Sequence, residues 1–203
     1  MLLTTLYIIG ITVEAMTGAL AAGRCKMDLF GVIIISLVTA IGGGSVRDIL
    51  LGHYPLSWIN HPEYIIIIST ASIITIFIAP LIHQLRKIFL ILDALGLVVF
   101  SIIGAQVALN SGHPEIIAII SAVITGVFGG VLRDMFCNCI PLVFRKEIYA
   151  GISFVSAWIY ITLISTSLPS EIVTIMTLLF GFCARLLAVH FQLSLPIFHY
   201  SDN

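Results

Sequence analysis

Charge is what this sequence has least of. Of 203 residues only 9% are Asp, Glu, Lys or Arg, while 60% are apolar; a soluble domain of this size carries roughly 25% charged residues. A chain so poor in charge cannot cover its core with polar surface, which excludes a water-soluble single domain. Basic tracts are missing as well, so the sequence offers no footprint for a nucleic acid. The four cysteines do not form a metal or redox motif. Cys137-x-Cys139 lacks the two-residue gap of such pairs, no Cys/His pair accompanies it in sequence, and with Cys25 and Cys183 it reads as small packing residues. No Gly-x-x-x-x-Gly-Lys-Ser/Thr loop, His-Glu-x-x-His or Gly-x-Ser-x-Gly is present, and no nucleophile and base stand at helical spacing, so the expectation is not an enzyme and no cofactor. The Thr-Val-Gly-Tyr-Gly filter of potassium channels is absent too, so any cation preference needs another device. No Lys or Arg precedes Leu2, which argues for a retained first span rather than a cleaved signal peptide.

Long apolar runs are what the chain has instead. A helix needs roughly 20 apolar residues to cross about 30 Å of hydrocarbon, and seven stretches qualify: residues 2–22, 29–51, 64–82, 88–109, 116–136, 148–164 and 172–191. They are too long for barrel strands of ~9–11 alternating residues. The reading is an all-α polytopic membrane protein with seven transmembrane helices. Arg24, Lys26, Arg86, Lys87, Arg145 and Lys146 fall in alternate connections, and the intervening loops hold no Lys or Arg. The positive-inside rule then puts the N-terminus outside and the C-terminus in the cytoplasm. His53, His61, His83, His113, His190 and His199 scatter over span ends and loops, a pattern that does not make a metal site.

An internal repeat organises the spans. Gly42-Gly43-Gly44-Ser45-Val46-Arg47-Asp48 in the second span is echoed 86 residues later by Phe128-Gly129-Gly130-Val131-Leu132-Arg133-Asp134, with a proline seven residues beyond the Asp in both copies, Pro55 and Pro141. The same offset matches Gly10 with Gly96, Gly18 with Gly104, and Thr39 with Thr125. The copies lie three spans apart, and an odd number of spans reverses direction. The expected organisation is therefore one transmembrane domain, 1–203, built as an inverted 3+3 repeat plus one extra helix: residues 1–86, 87–168, and 169–203 for the last span and tail. Inverted repeats place a substrate or ion path at their interface.

The glycines and the charges inside the spans are the candidate site. Gly42, Gly43 and Gly44, and Gly129 with Gly130, are expected to kink or open their helices, with close helix packing as the competing use; Gly18 with Ala22 and Gly104 with Ala108 read as packing faces. Arg47, Asp48, Arg133 and Asp134 each cost at least ~2.5–3.5 kcal/mol in mid-membrane and so face the bundle interior or water. Neighbours at i and i+1 point apart on a helix, so each Arg and Asp is expected to find its partner on another helix. Rise per residue places Arg47 and Arg133 about 26–27 Å along oppositely directed helices, one near each mouth. Glu14 in mid-span reads as facing a water-filled cavity in preference to being protonated and hydrogen-bonded, Asp93 as a helix-start charge, and Arg185 as an anchor of the bundle or the partner of a carboxylate.

Seven spans as three, three and one, with Gly-Gly-Gly-Ser-Val-Arg-Asp and Gly-Gly-Val-Leu-Arg-Asp in equivalent helices and Leu92-Asp93-Ala94-Leu95-Gly96-Leu97 opening the fourth, resemble the prokaryotic trimeric intracellular cation (TRIC) channels, whose close bacterial relatives are also described as glycine transporters. The resemblance covers essentially the whole chain. It implies a homotrimer in the inner membrane, each protomer carrying its own pore for monovalent cations, chiefly K⁺, lined by spans two and five at Gly42, Gly43, Gly44, Arg47 and Asp48 and at Gly129, Gly130, Arg133 and Asp134. Phe128 departs from the pattern where a third glycine would stand, which implies a milder second break. The rival function is a secondary transporter for glycine or another small neutral solute, with an Arg taking the carboxylate and Glu14 or an Asp the amine.

Overall fold

A computed structural model describes residues 2–145 and 148–194; Lys146 and His199, named above, lie outside them. The described chain is helical throughout: α1 (Leu2–Arg24), α2 (Leu29–Leu51), a single-turn α3 (Ser57–Asn60), α4 (Glu63–Ile78) extended by a 3₁₀ turn over Ala79–Leu81, α5 (Leu85–Asn110), α6 (Glu115–Phe136), α7 (Tyr149–Ile164) and α8 (Ser170–His190). Among the described residues six helices are long and apolar enough to cross a membrane. The sixth expected span is α7, whose 16 residues extend about 24 Å. The α3 turn was not foreshadowed by apolar periodicity, because four residues are too few to show one.

Helix boundaries follow from local chemistry. The Asp28 carboxylate accepts the Gly31 N–H at 2.7 Å and starts α2. Gly52, at φ 65°, closes α2 in the left-handed region that a side chain disfavours. Pro62, Pro114 and Pro169 immediately precede α4, α6 and α8, where a missing N–H removes no helical hydrogen bond.

Helices α1 and α5 form the centre, with 67% and 72% of their apolar windows buried, whereas α4 is only 22% buried and turns Ile66 and Phe77 outward. One apolar cluster joins Ile11, Ile68, Val99 and Phe100, and another joins Val98, Ile102, Tyr160 and Val173. Both draw on α5, so this helix ties the two sides of the bundle together.

The glycine motifs sit where α2 and α6 cross. A Cβ on Gly43 would run into the Thr125 carbonyl, and a Cβ on Gly129 into the Thr39 carbonyl. Since Thr39 and Gly43 are the 86-residue counterparts of Thr125 and Gly129, the crossing is reciprocal. Gly18 likewise presses on the Ser36 backbone and Gly104 on the Ser121 carbonyl, as expected for packing faces. The expected helix breaks at Gly42, Gly43, Gly44, Gly129 and Gly130 are not found: α2 and α6 run as uninterrupted helices through both motifs. At Gly43 and Gly129 close backbone contact at the crossing uses the missing Cβ directly, whereas a Cβ on Gly42, Gly44 or Gly130 would meet side-chain atoms only. Phe128 is partly exposed and so leaves the crossing free despite its bulk.

Candidate functional site

Each Arg-Asp pair is the centre of a buried polar cluster. Near the end of α2, Arg47 donates from Nε and Nη2 to Asp48 Oδ1 at 2.9 and 2.7 Å. The other oxygen of Asp48 accepts both the backbone N–H and the hydroxyl of Ser57, at 2.9 and 2.8 Å, so the carboxylate folds the α2–α3 connection back onto the helix end. Exposed His53 brings Nδ1 within 3.3 Å of Asp48. Both Arg47 and Asp48 are buried, at 2% and 0% exposure.

Near the end of α6 the arrangement is repeated and enlarged. Arg133 Nε donates to Asp134 Oδ1 at 2.9 Å, and Asp134 Oδ2 accepts the Leu142 N–H at 3.0 Å. In both halves the Asp therefore holds a backbone N–H just past the matched proline, which accounts for the seven-residue Asp-to-Pro spacing. Arg133 Nη1 additionally donates to Asp93 Oδ1 at 2.9 Å and to the Thr17 hydroxyl at 3.2 Å. Glu14 lies 4.0 Å from the same nitrogen, and Phe89 places its ring 4.7 Å from the guanidinium carbon. One fully buried guanidinium thus meets three carboxyl groups contributed by α1, α5 and α6.

Three expectations about these residues need correction. Arg47 and Asp48, and Arg133 and Asp134, pair with their own chain neighbours. Helical geometry separates the Cβ directions of adjacent residues, but the arginine stem is long enough to fold back, and two desolvated charges have every reason to meet. Asp93 is no helix-start charge: it lies well inside α5, which begins at Leu85, and is fully buried against Arg133. Glu14 packs tightly on Gly96, where a Cβ would displace its carboxylate, and accepts the Thr17 hydroxyl at 2.9 Å; protein atoms rather than a cavity surround it. The cysteines, read as small packing residues, are buried only at Cys137; Cys25, Cys139 and Cys183 are exposed. Cys25 and Cys139 both direct their thiols at the Cys137 carbonyl, at 3.6 and 3.5 Å. Burial, then the Cys25 thiol, push Cys137 up to about 12, and no metal-holding group of His, Cys, Asp and Glu occurs among the described residues. Arg185, read as an anchor, stacks 4.6 Å over the buried Tyr149 ring.

The two arginines stand at opposite ends of the bundle, as depth arithmetic required. Arg47 lines a cavity of about 390 Å³ between the start of α1, the α2–α3 connection and the end of α5. Asp134 borders a smaller one of about 110 Å³ beside Cys25, Cys137 and Arg145. Sequence reasoning missed Thr17 and Ser57 as partners and gave Asp93 the wrong role. The signal for Asp93 was available: it is buried charge in the most enclosed helix.

A bundle of apolar helices long enough to span a bilayer, carrying two buried, corresponding charge clusters, is that of a polytopic membrane protein. The family model described as Glycine transporter matches residues 4–80 and 90–165, and the chain belongs to that family. It is 38% identical to the UPF0126 inner membrane protein YadS of Escherichia coli, over 100% of this chain and 99% of the relative. A UPF0126 membrane protein of Vibrio cholerae is also 38% identical, over 95% of this chain and 82% of the relative. Among solved structures, the TRIC trimeric intracellular cation channel orthologue from Rhodobacter sphaeroides superposes with a TM-score of 0.91 at 32% identity, covering 95% of this chain and 99% of that one. A second TRIC cation channel reaches 0.88 at 31% identity, with 98% of each chain covered. A Trimeric Intracellular Cation channel from C. elegans shares the fold alone, with a TM-score of 0.64 at 11% identity. The bacterial TRIC relatives are ion channels, and the resemblance read from the paired motifs is thereby established; the chain is a membrane protein of this group and not an enzyme.

Proposed function

We propose that this protein is a monovalent cation channel permeable to K⁺, with a pore inside each protomer between two inverted repeats, residues 1–86 and 87–168, and with residues 169–203 as the added helix and tail. The observation that carries the reading is the likeness in fold and sequence to TRIC cation channels over nearly the whole chain. The repeat is supported by the two matches of one family model and by the reciprocal contacts of Gly43 and Gly129. The same likeness supports a homotrimer within the lipid bilayer, and the basic connections support an inner-membrane orientation with the N-terminus outside and the C-terminus cytoplasmic.

An arginine beside a cation path is compatible with conduction when its charge is answered locally. Asp48 neutralises Arg47, and Asp134, Asp93 and Glu14 surround Arg133, so neither guanidinium presents a bare positive barrier. In this reading Arg47, Asp48, Arg133, Asp134 and Glu14 set the width and gating of the passage from its two ends, and the glycines at Gly42, Gly43, Gly44, Gly129 and Gly130 bring its walls together. Permeant ions such as K⁺ pass without a resident cofactor.

The description of the matching family favours one rival, a carrier for glycine. Proteoliposomes separate the two. A channel gives K⁺ flux that does not saturate and no glycine counterflow; saturable glycine uptake with counterflow and no K⁺ conductance would replace it with the carrier. In planar bilayers, Arg47→Ala and Arg133→Ala are each expected to alter single-channel conductance or open probability, and unchanged values in both would remove the arginines from the pore.

A further inference from the structure

Cysteines from distant parts of the sequence meet at one end of the bundle. Cys25, at the end of α1, and Cys139, just beyond α6, both aim their thiols at the Cys137 carbonyl, at 3.6 and 3.5 Å. Because they share one acceptor, the two sulfurs are near neighbours. Both backbones are also fixed. Lys26 and Asn138 take left-handed conformations, at φ 54° and 52°. The Met27 and Cys139 N–H groups reach back to the Ala22 and Asp134 carbonyls, at 3.2 and 2.8 Å. Each is the six-to-one hydrogen bond that closes a helix end, so the two thiols stand on capped helix termini and not on free loops. Cys25 and Cys139 are exposed, whereas Cys137 is buried in the apolar cluster of Leu20, Ile35 and Phe89.

Exposed thiols in electropositive surroundings are the ones that exchange with disulfides. Cys25 and Cys139 line a cavity of about 110 Å³ whose charged groups are Arg24, Arg145 and Asp134. Arg133 and the Leu142 N–H already engage Asp134, which leaves the two arginines to set the local field. We propose that Cys25 and Cys139 form a thiol–disulfide exchange site for small anionic disulfides of the glutathione type, and that their bond clamps the end of α1 to the α6–α7 connection. One cysteine thiolate attacks a sulfur of the small disulfide and expels one thiolate, leaving a mixed disulfide. The other cysteine thiolate attacks the protein sulfur of that bond and expels the second half. Two protein thiols are oxidised, one small disulfide is reduced to two thiols, and the two protein protons pass to them. In the proposed orientation this end faces the cytoplasm, where disulfides are transient and sensing, not structural. The clamp grips the segment that Asp134 holds through Leu142, and bond formation does not depend on conduction.

The full-length protein in nanodiscs of zwitterionic lipid, reduced and then exposed to oxidised glutathione, tests the site by peptide mass spectrometry. A dithiothreitol-reversible bond joining Cys25 to Cys139 is expected. Cys139→Ser is expected to lose the bridge and stop at a glutathione adduct on Cys25, Cys25→Ser to stop at one on Cys139, and Cys137→Ala to keep the bridge. Cystamine, a cationic disulfide, should react at least roughly tenfold more slowly than oxidised glutathione at low salt, with the gap narrowing as salt is added. Amide exchange over residues 139–145 should slow on bridging and recover on reduction. Three results on the unaltered protein overturn the site: no bridge, a bridge through Cys137, or adducts at Cys25 and Cys139 no more frequent than at exposed Cys183. Cystamine matching oxidised glutathione overturns the anionic preference, and unchanged amide exchange overturns the clamp.

Discussion

Replacing Arg133 with methionine is expected to destabilise the protein more than the same change at Arg47. Methionine follows the arginine stem and fills the space, so the effect isolates charge. At Arg133 it leaves Asp93 without its 2.9 Å donor, Asp134 without its side-chain partner, and Glu14 without the nearby cation. Removing one partner of a buried ion pair typically costs about 3–5 kcal/mol, because the remaining charge stays desolvated. At Arg47 the stranded group is Asp48 alone, which keeps the Ser57 N–H and hydroxyl and has His53 at its edge. Thermal unfolding of the detergent-purified variants, followed by circular dichroism, measures the difference. Adding Asp93→Asn to Arg133→Met should restore part of the loss, as expected for residues in one network. Equal melting temperatures for the two methionine variants would mean that the three carboxyl groups do not depend on Arg133.

The second large effect is expected at the α2–α6 crossing. A valine at Gly43 would drive its Cβ into the Thr125 carbonyl, and a valine at Gly129 would do the same to Thr39. Backbone atoms cannot step aside as a flexible side chain can, so the helices must separate. Overpacking of this kind costs typically 1–3 kcal/mol and sometimes more, and here each helix also carries a charge cluster that would shift with it. Both variants should therefore lose stability and alter transport together. Gly23→Ala is the control: no atom lies within 4 Å of its added Cβ, and alanine is the better helix former by about 1 kcal/mol. It should be neutral or slightly stabilising. A Gly43 valine variant as stable as the parent would remove the close crossing.

These residues also mark how much was legible in advance. The long apolar helices, the matching Arg-Asp clusters 86 residues apart, and the placement of Arg47 and Arg133 toward opposite ends followed from apolar length, sequence offset and helix rise. Pairing was not legible. Spacing along a helix gives the direction of Cβ but says nothing of where a long side chain curls, so the Arg-Asp neighbours were wrongly separated. Asp93 was misread because its helix starts at Leu85, ahead of the apolar run read as 88–109, so the charge stands well inside the helix, where burial against Arg133 and not the helix start decides its role. For the glycines both uses were written in the same residues, and only the facing helix decides between an opened ladder and a close crossing. The cysteines show the reverse case: Cys25 is distant in sequence from Cys137 and Cys139, and no local motif could bring them together.

The most direct test of a cation passage through the protomer is the reversal potential of the purified protein in a planar bilayer under asymmetric KCl. The structural likeness to cation channels and the carboxyl-rich Arg133 cluster predict discrete single-channel steps reversing close to the K⁺ equilibrium potential. A silent bilayer, or currents reversing at the Cl⁻ potential, would contradict a cation-conducting path between the two halves.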